Sequence, residues 1–598
     1  MARVGDVVQA LRGAQAIIVV PPFASLEWPA LGPHVLQAVA SAAGHDVRVL
    51  YANLLFAERI GVARYQRISQ ACRPERAADR VFCHHAFPEL PALGRSATSI
   101  AGSVLKEDLR QAHGTAGTFC RELGEALALS EVPIVGCTTT FDQTLSALAL
   151  LRHLKNVAPR VTTVLGGANC EGTMATALAR SAPMVDVIFR GESEVSFLDF
   201  LRARSRHELG GTRIITGRPC QALGDLPCPD YSDYFSIRAL CSMELPRPSL
   251  SYETSRGCWW GAKHHCTFCG LNGEELAFRS KPAEVVLADL ANLRQRHGDH
   301  RICMTDNIMP YAYHRSLLPQ LAKLNPPPTL FYEQKANLSW EQVCGLAAAG
   351  VTTIQPGIES LSTRLLQLMK KGVTAAQNIA LLRYALMCGI TPQWNLLYGL
   401  PGDNGEDYRQ MLQLISRLTH LPPPAGVSSV SIDRFSPYFE NPVAFGITEL
   451  RPLDGHCDVW PVDAAVDALA YHFKGLYPSE SASDPTLRQE MESAVHEWRS
   501  NWLEPRRIPR VCILPMGSRG LLYFDTRNPD VTVKERITEA QARAALWGRS
   551  DADALAWAQS RGCCLMVDGQ WVPVATSDIE LMDELNSSAQ RVDNDCGV

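Results

Sequence analysis

The strongest constraint on how this chain folds is a repeated change of period. Between residues 245 and 445, short strand-like runs alternate with helical stretches about six times. The strand candidates are Leu250–Ser255, Ile302–Asp306, Leu330–Lys335, Thr353–Gly357, Gln393–Tyr398 and Val430–Phe435. Helical patterns such as Pro282–Arg296, Trp340–Ala349, Thr374–Cys388 and Glu406–Thr419 separate them. Strands that each need a helical crossover to reach the next must run parallel. Six such units fit a partial (β/α)6 barrel, whose chemistry lies at the carboxyl ends of its strands.

The segment before it, 1–225, follows a related rule. Strand candidates Ala16–Val20, Val47–Tyr51, Val132–Cys137, Thr162–Leu165, Val185–Phe189 and Thr212–Thr216 alternate with helical patterns at Leu31–Ala43, Gln143–Asn156 and Gly172–Arg180. An open parallel sheet of Rossmann-like kind is expected, with ligands beyond its strand ends. Three segments lie there: Pro21–Ser25, Gly136–Thr140 and Gly166–Gly172. Residues 55–130 are less regular and read as an inserted helical lid. From 450 to 598 the pattern becomes α+β. Helical stretches Val462–Leu476 and Thr486–Trp502 precede strands Val511–Pro515 and Leu521–Phe524. Helices Glu539–Trp547 and Ala552–Arg561 and a hairpin, Leu565–Trp571, turning at Asp568-Gly569, make the end winged-helix-like.

Composition narrows the class. A chain of 598 residues with 46% hydrophobic and 20% charged residues is that of a soluble globular protein of several domains. A net charge of −5 offers no basic face to a nucleic acid. No apolar run approaches the ~18 residues that span a bilayer. The N-terminus lacks the order of a secretion signal, so the expected location is the cytoplasm. The 19 cysteines are scattered and unevenly spaced, against a disulfide framework.

Three cysteines depart from that scatter. Cys258, Cys266 and Cys269 lie in Arg256-Gly-Cys-Trp-Trp-Gly-Ala-Lys-His-His-Cys-Thr-Phe-Cys-Gly270, directly after the first barrel strand. Three thiolates so close bind one soft metal centre at little loop-closure cost. Three is one short of the four that saturate a cubane iron–sulfur cluster, which leaves one iron open. The residues alone also admit a zinc site completed by His264 or His265, or inert buried thiols.

This loop resembles that of the radical S-adenosylmethionine (SAM) superfamily, with seven residues in place of the commoner three between its first two cysteines. Its local sequence, Arg256-Gly-Cys-Trp-Trp-Gly and His264-His-Cys-Thr-Phe-Cys-Gly-Leu-Asn-Gly273, is similar to a cobalamin-binding group within it. That group matures ribosomally made peptides, chiefly by C-methylation. The similarity runs over about residues 15–445 and includes Phe56–Gly61, Gly166-Gly-Ala-Asn169, Gly191-Glu192, Lys335–Leu338, Gln355–Ser362, Asn395–Gly402 and Arg434–Glu440.

The resemblance implies roles. Cys258, Cys266 and Cys269 would hold a [4Fe-4S] cluster whose open iron takes SAM. Gly270 to Gly273, with Asn272, would receive the methionyl amino group on backbone. Glu333, Lys335, Gln355 and Glu359 would contact SAM's ribose or carboxylate; each reads equally well as a rim salt bridge. Asn395 and Tyr398 would face the same mouth, with Gly399 and Gly402 near the adenine. The N-terminal sheet would bind cobalamin, its nucleotide tail beside Gly166, Gly167, Ala168, Asn169 and Glu171 and beside Thr138, Thr139 and Thr140. A plain nucleotide-binding sheet is the rival reading, and no Gly-x-Gly-x-x-Gly follows its first strand. The Asp-x-His-x-x-Gly pattern of some cobalamin proteins is absent. Asp454-Gly-His456 falls in another domain, so no histidine is expected to ligate cobalt from below. Glu274 and Glu275 depart from the group's usual residues. Either carboxylate, with Glu274 the leading one, is a candidate ligand to the open iron in competition with SAM; otherwise both are solvated loop charges. Trp259, Trp260 and Tyr311 are candidates for stacking on a ligand, or packing residues.

The activity so implied is C-methyl transfer from SAM through methylcobalamin to tryptophan C2 or a peptidyl carbon, in peptide natural-product biosynthesis. Length and layout are compatible with the tryptophan C2-methyltransferase of the thiostrepton pathway. The partners expected are a small-molecule or peptide substrate and an external electron donor, with neither nucleic acid nor membrane. No catalytic residue stands out. The alternatives are a radical SAM peptide epimerase and, in another class, a cobalamin- or peptide-binding sensor.

Overall fold

Six short parallel strands build the N-terminal sheet: β1 (Ala16–Val20), β2 (Val47–Tyr51), β3 (Ile134–Thr138), β4 (Thr162–Gly166), β5 (Val187–Arg190) and β6 (Ile214–Thr216). They pair in the order β2-β1-β3-β4-β5-β6 in a computed structural model that describes residues 4–71, 75–96, 102–205, 213–271, 273–504 and 508–586. Thr212, expected to open β6, lies outside the described residues. All five residues of β1 are buried, as a strand covered on both faces requires. The chain reverses its direction across the sheet between β1 and β3, and a crevice opens at that switch point.

The segment expected as a lid is instead a packed helical layer. Helices Ala52–Ile60, Val62–Ser69, Ala77–Ala86 and the 27-residue Ser103–Leu129 stand between β2 and β3. Phe56 meets Phe82 at 5.3 Å and Phe119 at 5.1 Å between ring centroids. Burial on several sides blurs the amphipathic stripe that would have marked these helices.

The barrel wall is a five-stranded parallel sheet. Its strands run Thr391–Pro392, Val351–Gln355, Leu330–Glu333, Arg301–Met304 and Ser249–Tyr252, in that order. A second parallel pair, Leu396–Tyr398 with Val427–Ser429, continues it. The expected fifth strand is therefore split, and Pro392 supplies no amide to extend the first piece. The expected sixth strand, Val430–Phe435, is displaced. Val427–Ser429 takes its place, and Ile432–Asp433 leaves to pair antiparallel with His472–Leu476.

That last strand also corrects the expected helix Val462–Leu476, of which only Val466–Leu469 is helical. Beyond the long helix Pro485–Leu503, an antiparallel meander (Val511–Pro515, Leu521–Asp525, Val533–Ile537) precedes helices Glu539–Trp547 and Ala552–Ser560. A hairpin, Cys564–Val567 with Gln570–Pro573, follows. Its turn has φ of +50° at Asp568 and +77° at Gly569, as a tight primed turn demands. Among the described residues no helix is long and apolar enough to cross a membrane.

Candidate functional site

Past the first barrel strand, Ser249–Tyr252, residues Glu253–Arg256 deliver the cysteine loop to the barrel mouth, and Ser255–Arg256 pairs with Arg279–Ser280. The Gly261 amide donates to Cys258 Sγ at 3.3 Å, and the Cys269 amide to Cys266 O at 3.2 Å. A second segment straps the loop in place. Trp260 Nε1 donates to Lys370 O at 3.0 Å, Thr267 N to Met369 O at 3.1 Å and Thr267 Oγ1 to Leu368 O at 3.3 Å. All three cysteines are half-buried. Burial raises the Cys266 thiol, Lys371 and Lys335 oppose the rise, and Cys258 adds to it. Cys269 is pushed up to about 12, chiefly by burial. Soft donors that resist ionisation alone, with two ammonium groups beside them, suit a metal centre that stabilises thiolates.

The two neighbouring histidines do not complete a zinc site with the cysteines. His264 stacks on Trp260 at 4.2 Å, and His265 Nε2 lies 2.8 Å from Cys269 O, so each ring is engaged elsewhere. Among the described residues, no three His, Cys, Asp or Glu side chains are close enough together to hold one ion.

Charged groups ring the mouth. Glu333, at the end of the third strand, is raised to about 7 by burial and then by Asp306. Asp306 is raised to about 6 by burial, although it accepts from Thr254 N and Ser255 Oγ, each at 2.7 Å. Lys335 is lowered to about 8 by burial. Its Nζ donates to Lys371 O at 2.9 Å and lies 2.8 Å from the Trp260 ring centre. Glu359, at φ +59°, places Oε1 3.4 Å from Lys371 Nζ. Gln355 is exposed at the end of its strand and Tyr398 is half-buried at the end of Leu396–Tyr398. Asn395, expected with Tyr398 at the carboxyl end of the fifth strand, is exposed and instead precedes Leu396–Tyr398, because that strand is split. Trp259 Nε1 donates to Met309 O at 3.2 Å, so both tryptophans pack at the rim, while Tyr311 is exposed.

A cavity of about 880 Å³ lies between the N-terminal sheet and the first two barrel strands, and no residue of the cysteine loop lines it. Ile18, Val164 and Phe189 on the sheet face it, as do Leu36 and Phe197 from flanking helices. Thr138, Thr140, Gly166 and Gly167 close it at the sheet top, and Ser251 and Thr305 close it from the barrel. The predicted loop residues divide here. Thr139 is fully buried and donates to Gly166 O at 3.0 Å, and Asn169 Nδ2 donates to Phe141 O at 2.8 Å. These two brace the loops, and neither they nor Ala168 and Glu171 line the cavity.

Glu171 instead reaches the cysteine loop. A Cβ at Gly273 would overlap its carboxylate, and one at Gly172 would fall 3.2 Å from Glu274 Oε1. Burial, then Glu274, raises Glu171 to about 7. Glu274 and Glu275 are exposed, and Glu275 lies 3.7 Å from Arg279. Gly270 is pressed against Arg434, where a Cβ would overlap the carbonyl oxygen. Asn272 lies outside the described residues. His456 is buried in the helix Asp454–Val459, away from the cavity lining.

Sequence reasoning missed two features. Lys371 was one, though Met369-Lys-Lys-Gly372 closely follows Glu359. The other is an ion-pair web joining the two domains. Arg256 pairs with Glu192 at 2.9 Å, Glu194 at 2.5 Å and Glu253 at 2.7 Å, and Arg279 also pairs with Glu192. The only signal was the adjacency of Arg256 to Cys258 and of Gly191 to Glu192.

Residues 252–415 match the family model of the radical SAM superfamily. They form a radical SAM domain, which implies a [4Fe-4S] cluster and SAM. An uncharacterized methyltransferase of Pyrococcus horikoshii is 25% identical over 302 residues, 48% of this chain and 64% of that protein. The tRNA-2-methylthio-N(6)-dimethylallyladenosine synthase of Bordetella petrii is 23% identical over 296 residues, 46% of this chain and 56% of that protein. The chain thus spans less than two thirds of the length of these relatives. Among solved structures, the cobalamin-dependent SAM radical enzyme OxsB with aqua-cobalamin bound superposes with a TM-score of 0.54 at 14% identity, over 82% of this chain and 67% of that one. The radical SAM methyltransferase TsrM of Kitasatospora setae, with cobalamin and [4Fe-4S] cluster bound, superposes with a TM-score of 0.50 at 14% identity, over 96% and 100%. At such identities these two establish the α/β fold.

Proposed function

We propose that this chain is a cobalamin- and [4Fe-4S]-dependent C-methyltransferase that draws its methyl group from SAM. Its acceptor would be tryptophan C2 or a carbon of a peptide, in natural-product biosynthesis. One observation carries the reading: a single cavity of about 880 Å³ is lined both by the glycine loops of the six-stranded sheet and, from the barrel side, by Ser251 inside the first strand and Thr305 just past the second. That volume is at the upper end for a ligand site. It suits a large cofactor tail held by one domain and presented to the other. The two solved neighbours named for cobalamin support the same pairing.

When bound, the corrinoid and the cluster would supply the methyl-transfer and SAM-binding chemistry. The chain's own part is to bind, orient and exclude water. Cys258, Cys266 and Cys269 would hold the cluster, with Glu274 as the nearby carboxylate candidate for its open corner. Thr138, Thr140, Gly166 and Gly167 would cradle the nucleotide tail, braced by Thr139 and Asn169. Lys335 would offer its ammonium to SAM's carboxylate. Glu333, protonated up to about pH 7, would donate a hydrogen bond to a ribose hydroxyl. For an indole acceptor the remaining task is removal of the ring proton.

The test is anaerobic reconstitution with iron, sulfide and hydroxocobalamin, then methyl-labelled SAM with tryptophan or a precursor peptide. The expected result is corrinoid uptake and one labelled methyl per product. An indole acceptor should give no stoichiometric 5′-deoxyadenosine. Deuterium at Cα without a methyl gain would identify an epimerase, and absence of corrinoid uptake would overturn the proposal.

A further inference from the structure

Lys371 is placed with unusual definition for a loop lysine. It follows helix Thr363–Leu368, in a turn with φ of +53° at Lys370 and +61° at Gly372. The preceding residues, 368–370, accept the three hydrogen bonds from Trp260 and Thr267 that strap the cysteine loop. A Cβ at Gly372 would run into the Trp260 ring, so this segment cannot shift without disturbing that loop.

The side chain of Lys371 is only 15% exposed. Its ammonium lies 5.7 Å from the centre of the Phe268 ring, and Phe268 stands between Cys266 and Cys269. A Cβ at Gly357 would fall 2.8 Å from Nζ, so glycine there leaves room for the ammonium. One carboxylate, Glu359, faces it at 3.4 Å. Burial disfavours the charge on Lys371, but Glu359 and the sulfurs of Cys266 and Cys269 outweigh it and hold the group above its ordinary range. Lys335, the other cation at the mouth, is lowered to about 8.

We infer that Lys371 is a positioning residue for the cluster's charge: its ammonium, fixed beside the cysteine loop by the 368–372 strap, makes the bound cluster easier to reduce. The inference rests on the reading of Cys258, Cys266 and Cys269 as cluster ligands. The cluster gains one negative charge on taking one electron from an external reductant. A neighbouring cation in a poorly solvated site stabilises that reduced form more than the oxidised one. Glu359 partly cancels the effect.

The experiment is a potentiometric titration, read by electron paramagnetic resonance, of reconstituted wild type and the variants Lys371→Met, Lys371→Arg and Glu359→Gln. Iron, sulfide and Mössbauer spectra are measured first. Lys371→Met is expected to lower the ratio of reduced to oxidised cluster at least tenfold at a fixed potential, 59 mV for one electron. Lys371→Arg should titrate like wild type, and Glu359→Gln should shift the opposite way. If Lys371→Met fails to load a cluster, the Glu359→Gln shift decides. Loaded variants that all titrate with the wild type would overturn the inference alone. A wild-type protein with no cubane would overturn the reading of the cysteine loop, and this inference with it.

Discussion

At the scale of single residues, this mouth depends on places where a side chain would not fit and on groups whose protons burial has moved. Gly372 combines φ of +61° with a Cβ position inside the Trp260 ring. Gly372→Ala should cost about 1–3 kcal/mol and change tryptophan emission; urea unfolding followed by fluorescence measures both. Glu333 concerns pH. Its folded value, about 7, lies above its ordinary value of 4.5, so between the two the folded state binds more protons than the unfolded. Stability of the cofactor-free protein should therefore fall as pH rises from 4.5 to about 7. Glu333→Gln should remove a part of that slope on the order of 1–3 kcal/mol; denaturant midpoints across this pH range measure it. Glu333 was legible in the sequence as the end of a strand. Its shifted proton was not, because that depends first on burial by the packed barrel and then on Asp306, which follows a different strand.

At the scale of elements, the ion-pair web fixes the cysteine loop against the N-terminal sheet. Arg256 leaves the first barrel strand, while Glu192 and Glu194 follow β5. All four groups of the Arg256 pairs are at most 19% exposed. Removing the shared cation takes the counter-charge from Glu194 and Glu253 in a poorly solvated place, while Glu192 keeps Arg279, so Arg256→Met should cost about 3–5 kcal/mol. Hydrogen exchange should rise at 191–194 and 255–258 together; a rise at one segment alone would count against the coupling. Element identity was largely readable from period and burial-prone runs. The sixth barrel strand was not, because Val427-Ser-Ser-Val-Ser-Ile432 is strand-like throughout. Pairing with Leu396–Tyr398 on one side and His472–Leu476 on the other decided where it breaks.

At the scale of the whole molecule, the cavity is where the two domains meet. Val164 lines it and is buried. Val164→Phe should fill part of it at about 1–3 kcal/mol of strain and weaken corrinoid uptake at least tenfold. Iron and sulfide content should stay at wild-type levels; absorbance titration and metal analysis separate the two. The sequence by itself determined the parallel-sheet architecture and the cysteine loop at a strand end, because strand–helix alternation and ligand spacing are local properties of the chain. Tertiary structure alone decided that Lys371 lies under that loop, that Glu171 meets Gly273, and that Thr139 and Asn169 brace the cavity without lining it. Those contacts join segments far apart in sequence, and their geometry follows from how the sheet, the barrel and the strap pack against one another.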